Sequence, residues 1–263
     1  MYPYFHFFGR TIPAYGLCMV LGVVLACTLT ILRGKRFGLV ADEVIVTTAV
    51  TVGFAVLGGS LLYMVVTFSP QQILKLLLAG KFSILFSGIV FYGGMIGAVL
   101  GAGISVRLAG CQLAPMLRAA VPFIPMGHAV GRIGCLLAGC CYGMPYEGPF
   151  AIHYPSPIYG LVPGQGYFPS PLAEAFLNVC IGLCLLGLEK RAKLAEDLLA
   201  AYLCLYALVR FTLEFFRGDV IRGSFEGLST SQWISVGLVV VCALYTLVVR
   251  KHLLHRQEQK SAK

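Results

Sequence analysis

Residues 119–143 read AAVPFIPMGHAVGRIGCLLAGCCYG, an apolar run long enough to cross a bilayer that carries one fixed charge, Arg132. An arginine at mid-membrane costs about 2.5–3.5 kcal/mol even on a lenient insertion scale, so it belongs in a protected polar cavity at a pathway or site. A second such arginine, Arg210, opens the stretch RFTLEFFRGD at 210–219. A guanidinium stays charged and grips phosphate through parallel donors. Together the two stretches point to a membrane protein that handles a lipid headgroup.

The composition agrees. Hydrophobic residues make up 58% of the 263 residues and charged ones 12%, and the mean hydropathy is +0.85. These values exclude an ordinary soluble domain and predict one polytopic membrane domain over 1–263. Seven apolar segments are expected to span, near 12–32, 44–67, 82–106, 119–143, 172–188, 197–216 and 232–249. The expected fold is therefore an all-α bundle of seven transmembrane helices. The connections near 33–43, 107–118 and 189–196 and the tail from 250 hold thirteen Lys or Arg, against five on the other side. Positive residues stay in the cytoplasm, which predicts an external N-terminus and a cytoplasmic C-terminus. The net charge of +9 reflects this bias and gives no reason to invoke nucleic acid. The first segment lacks the basic start of a signal peptide and reads as a retained helix.

Residues 144–171 hold Pro145, Pro149, Pro155, Pro157, Pro163 and Pro169 and no Lys or Arg. Proline at that density forbids a regular helix, so an external cap or loop is expected. Glycines at 58–59, 93–94, 97, 101 and 103 read chiefly as places where helices approach closely. Cys18, Cys27, Cys180, Cys184, Cys204 and Cys242 lie in apolar spans and read as small hydrophobes. Cys135, Cys140 and Cys141 are spaced C-x4-C-C, unlike the C-x2-C pairs of common zinc sites, and no metal ligand is assigned.

Several polar residues share the expected outer half of the membrane. At a rise of about 1.5 Å per residue, Tyr92, Arg132 and Arg210 fall roughly 15, 16 and 9 Å deep. Tyr206, Arg210, Glu214 and Arg217 recur at helical spacing and are expected on one face. Glu214 neutralises one of the three arginines, leaving the cavity positive. His128 stands one turn before Arg132, and histidine can remove a proton near neutral pH.

The chain resembles the prolipoprotein diacylglyceryl transferases over nearly its whole length. Tyr15-Gly16-Leu17 is similar to the family's early tyrosine-glycine motif. FYGGMIG at 91–97 resembles its HGGLIG, and GRIGCLLAGCCYG at 131–143 its GRxGNFxNxExxG signature. PSPLAE at 169–174 is similar to HPSQLYE, and RFTLEFFR at 210–217 to R-x3-EFFR. The resemblance implies a seven-span enzyme of the bacterial cytoplasmic membrane that moves a diacylglyceryl group from phosphatidylglycerol to the lipobox cysteine of a prolipoprotein signal peptide. Glycerol 1-phosphate is released, and no metal or cofactor is implied.

Carried over by position, Arg132 and Arg210 hold the phosphate and stabilise the leaving group. Glu214 and Arg217 support them, Tyr15 lines the lipid cavity, and Gly93, Gly94 and Gly131 border the substrate. Tyr92 stands where the family has its motif histidine, Cys135 and Cys140 where its signature has asparagine and glutamate, and Ser60 where an arginine is usual. Tyr92 is therefore expected to hydrogen-bond lipid or thiol, with His128 as proton acceptor. The alternatives are a related transferase with another acceptor, or a phospholipid-binding or transport protein without turnover.

Overall fold

A computed structural model describes residues 2–7, 9–154, 161–218, 224–225 and 227–254. Pro155 and Pro157 of the proline-rich loop, Asp219 and Arg222 after the sixth apolar segment, and the tail from 255 lie outside them. A hairpin of β1 (Tyr4–Phe7) and β2 (Arg10–Pro13) leads into α1 (Ala14–Gly34), α2 (Ala41–Thr67), α3 (Pro70–Leu78), α4 (Phe82–Leu85), α5 (Phe91–Leu108) and α6 (Leu113–Ala120). A 3₁₀ turn at Val121–Phe123 joins α6 to α7 (Ile124–Ala138). Then come β3 (Ile152–His153), β4 (Gly166–Tyr167), α8 (Ser170–Leu188), α9 (Ala195–Glu214), β5 (Ser224–Phe225), β6 (Leu228–Ser229) and α10 (Thr230–Leu244), which continues through a π turn at Tyr245–Val249. Each pair of strands is a two-stranded antiparallel ladder.

Five of these helices are long and apolar enough to cross a membrane: Ala14–Phe37, Ala41–Thr67, Leu113–Ala138, Ser170–Leu188 and Thr230–Leu254. Large apolar side chains such as Val20, Val24, Val65, Phe176, Leu183, Val240 and Leu247 stand exposed along them. In water that surface is untenable, whereas lipid is its natural solvent. The chain is an all-α membrane protein.

Two of the seven expected spans fall outside that set of five. The segment near 82–106 breaks: α4 ends at Leu85 and α5 begins at Phe91. Between them Val90 is extended, and its N–H donates to the Gly59 carbonyl at 3.0 Å instead of continuing a helix. Gly88 lies against the Tyr63 ring, where any side chain would collide. What remains apolar is the shorter helix Tyr92–Leu108. The segment near 197–216 is the 20-residue α9, which carries Glu196 and Asp197 in its first turn and Arg210 and Glu214 near its end. Those charges set it apart from the five apolar helices.

The helix ends obey local chemistry. Ser69 with Gln72 and Ser229 with Gln232 form reciprocal capping boxes that start α3 and α10. The Asp197 carboxylate accepts from the Leu194 N–H at 3.2 Å at the head of α9. Arg118 donates to the Ala192 and Lys193 carbonyls at 3.1 and 3.2 Å and pairs with Glu189, closing the carboxyl end of α8 where a cation is favoured.

The chain divides into two compact units, Met1–Thr30 with Leu117–Lys263, and Ile31–Met116. In the second, α2 packs along α5. A Cβ on Gly58 or Gly93 would collide with the other residue's carbonyl, so the two backbones touch. In the first, α8 lies between α7 and α9, and α10 packs on α9. Its core is Val121, Ile181, Leu185 and Leu198, flanked by Tyr202 and Tyr206.

Candidate active site

The site in the first unit is built on the middle of α7, the start of α8 and the last turns of α9. Arg132, His128 and Gly131 come from α7, Glu174 from α8, and Tyr206, Arg210 and Glu214 from α9. Arg132 Nη2 pairs with Glu174 Oε1 at 3.0 Å, its Nε donates to His128 Nε2 at 3.3 Å, and it hydrogen-bonds Tyr206. Arg210 pairs with Glu214 one turn later on its own helix and donates to the Ser231 hydroxyl at 3.1 Å. The His128 and Tyr206 rings lie 5.3 Å apart, and both feel the charges of Arg132 and Arg210. The two arginines predicted from sequence therefore meet around one His–Tyr pair.

Burial gives the arrangement its force. Arg210 is 8% exposed, and among the described residues its Nη1 is a buried donor without an acceptor. Such a donor costs roughly 1–3 kcal/mol, and an anionic ligand oxygen would satisfy it. Glu174, 2% exposed, is the main residue that the sequence reading left out of the site. A carboxylate near the start of an apolar span is as anomalous as an arginine there, so the same argument would have found it. With Glu174 counted, two carboxylates face the three arginines rather than one.

Arg217 differs from its expected place. The α9 helix stops at Glu214, and Arg217 sits beyond a turn, bridged to Gly143. That bridge belongs to a small network in which Gly143 N–H donates to Phe168 O, Met144 N–H to Phe216 O and Gly218 N–H to Tyr142 O. A Cβ on Gly143 would lie 2.5 Å from the Phe168 carbonyl oxygen and 2.8 Å from that of Phe216, so only glycine fits. The proline-rich loop is thus tied to the end of α9. Inside it, Tyr154, Leu161 and Tyr167 form a buried cluster with Tyr142 and Ile152 at its edge.

Tyr15, in the first turn of α1, lies within electrostatic reach of Arg132 and of the Cys135, Cys140 and Cys141 thiols. Gly131 and Gly134 let α1 approach: a Cβ on the first would meet Met19 Sδ at 2.9 Å, and on the second Cys18 Cβ at 2.7 Å. Tyr92, Gly93 and Gly94 belong to the second unit. There Tyr92 is half-buried in the first turn of α5, and α2 fills the space beside Gly93. Ser60, at the position of the family's usual arginine, is buried there too. The Cys135, Cys140 and Cys141 sulfurs converge to within 4.8 Å of one another, the set among the described residues that could hold a metal ion.

A family model described as prolipoprotein diacylglyceryl transferase matches residues 3–248. The chain is 32% identical over 234 residues to the phosphatidylglycerol–prolipoprotein diacylglyceryl transferase 2 of Clostridium perfringens, covering 89% of each chain. It is 30% identical over 242 residues to the phosphatidylglycerol–prolipoprotein diacylglyceryl transferase of Clostridium tetani, covering 90% of this chain and 93% of that one. An enzyme of the same name from Dehalococcoides mccartyi is 28% identical over 251 residues, with 94% and 91% covered. A match of this extent, on a chain whose motif arginines meet in one buried site, shows that the protein belongs to the prolipoprotein diacylglyceryl transferase family.

Proposed function

We propose that this chain transfers the diacylglyceryl group of phosphatidylglycerol to the cysteine thiol of a prolipoprotein signal peptide and releases glycerol 1-phosphate. The observation that carries this reading is the pair of guanidinium groups around His128 and Tyr206, Arg132 half-buried and Arg210 buried with the open donor Nη1. A phosphodiester oxygen is an acceptor of the right charge for that donor.

The reaction is a displacement at carbon. The peptide sulfur forms a C–S bond to the diacylglyceryl carbon as the C–O bond to phosphate breaks, and the electron pair leaves with glycerol phosphate. Arg132 and Arg210 stabilise the charge that grows on that oxygen, the kind of preorganised term that dominates many enzymes. His128 Nε2 accepts from Arg132, so the ring is the neutral tautomer with its proton on Nδ1. When Arg132 turns its donors to phosphate, Nε2 is released to take the thiol proton. Tyr92 hydrogen-bonds the lipid or the incoming thiol. Glu214 holds Arg210 in place, Arg217 adds positive charge at the end of α9, and Tyr15, Gly93, Gly94 and Gly131 border the lipid.

The setting is the bacterial cytoplasmic membrane, spanned seven times, with the N-terminus outside. Two further spans beyond the five apolar helices are α5 and α9, and 20 residues of α9 reach about 30 Å, the thickness of the hydrocarbon core. The direct test is complementation of a bacterium depleted of its own transferase, combined with transfer of label from phosphatidylglycerol to a lipobox peptide. Growth and labelled peptide are expected. Label appearing on another acceptor would indicate a related transferase instead, and lipid bound without turnover a binding protein.

A further inference from the structure

The family reading leaves the three cysteines at the end of α7 without a role, and their geometry is not that of scattered hydrophobes. The helix ends at Gly139 in the left-handed conformation, and Cys140 N–H donates back to the Cys135 carbonyl at 3.1 Å. Cys141 follows at φ 60, a left-handed backbone that a non-glycine residue adopts only at a cost of about 1–3 kcal/mol. This double reversal folds Cys140 and Cys141 over Cys135. All three sulfurs then lie within 4.8 Å of one another. The segment cannot drift, because Tyr142, Gly143 and Met144 are hydrogen-bonded to residues 168, 216 and 218.

We propose that Cys135, Cys140 and Cys141 form a binding site for one thiophilic cation of the zinc class. Three sulfurs around a metal at about 2.3 Å lie roughly 3.8–4.0 Å apart, so the thiols need draw in by no more than about an ångström. Soft sulfur donors favour zinc and its neighbours over magnesium or calcium. Three thiolates and a divalent ion carry one net negative charge. The Arg132 guanidinium is placed to meet it, with Nη1 directed at Cys141 Sγ at 4.0 Å, and Arg217 acts on the same sulfur. Cys135 is buried while Cys140 and Cys141 are half-buried, and a tetrahedral zinc would take its fourth ligand from water or another donor. The C-x4-C-C spacing concealed this site because a helix cap, not a C-x2-C turn, brings the sulfurs together. Because Arg132 touches the site, an ion there also alters the arginine's charge surroundings. That consequence rests on the phosphate role proposed above, whereas the binding itself does not.

The test is a titration of the reduced, detergent-purified full chain with Co²⁺, read by the thiolate-to-cobalt charge-transfer absorption, followed by displacement with Zn²⁺. One equivalent should bind. Cys135→Ser, Cys140→Ser and Cys141→Ser should each weaken binding at least ten-fold, and Cys180→Ser and Cys184→Ser, exposed on α8, should not. A second measurement needs no variant: Zn²⁺ should slow alkylation of Cys135, Cys140 and Cys141 in the wild-type chain and leave Cys180 and Cys184 unchanged, as read by peptide mass spectrometry. No charge-transfer band, binding that survives all three serine substitutions, or equal alkylation with and without Zn²⁺ would overturn the proposal. So would a disulfide among the three that persists under the reducing conditions of the titration. None of these readouts depends on transferase turnover, so an inactive enzyme that still binds cobalt would separate this site from the function proposed above.

Discussion

Arg132 has a carboxylate, an imidazole and a phenol as partners, and each can be removed separately. Glu174→Gln keeps the volume but leaves Arg132 with an uncompensated buried charge, which should cost about 3–5 kcal/mol. Thermal unfolding in detergent would measure it, and an apolar replacement of both Arg132 and Glu174 should recover most of the loss. Lysine keeps a charge at either arginine but not the flat fork of donors. Arg132→Lys and Arg210→Lys should each lower kcat/KM for phosphatidylglycerol by about 10²–10³-fold. The proton acceptor can be assigned by a graded series. His128→Ala should cost more turnover than Tyr92→Phe, and both less than Arg132→Ala. Full turnover in His128→Ala together with loss in Tyr92→Phe would remove His128 from that role. At this scale the sequence was most informative about charge: an arginine in an apolar run is visible in one dimension. Its partner Glu174 comes from another helix, and pairing across helices leaves no local pattern.

The proline-rich loop stands on aromatic packing rather than on regular structure. Tyr154 is 2% exposed, edge-on to the Tyr142 and Tyr167 rings, and its hydroxyl has no partner among the described residues. Burial pushes its phenol from the ordinary 10.0 up to about 12. In that window the unfolded chain releases the phenolic proton while the folded loop keeps it, so this contribution to stability is complete below pH 10 and lost as pH rises through about 12. Tyr154→Phe should flatten this alkaline decline and leave stability at neutral pH unchanged or higher by about 1 kcal/mol, since it removes an unsatisfied buried hydroxyl. Thermal melts of both proteins across the alkaline range would decide; a steeper decline in the variant would contradict the assignment. Proline density foretold an irregular segment here. It did not foretell the ladder at Gly143, because contacts between residues 143, 168 and 216 are set by where the helices deliver the chain.

For the whole molecule, α5 and α9 decide how many times the chain crosses the membrane. If α5 and α9 both cross with the five apolar helices, the two termini lie on opposite sides. A reporter fused after residue 263 should then be cytoplasmic and one fused ahead of the first helix external; a C-terminal reporter active outside would refute the seven-span topology. The sequence by itself determined the membrane class, most of the apolar helices and the family. Those depend on local hydropathy and on motifs read along one strand of chain. Only the tertiary structure decided that the segment near 82–106 breaks at Val90, that Arg217 leaves the α9 helix, that Glu174 neutralises Arg132 and that three cysteines converge. Each of those depends on a hydrogen bond, an ion pair or a helix cap whose partner is fixed by packing, and sequence spacing alone does not encode it.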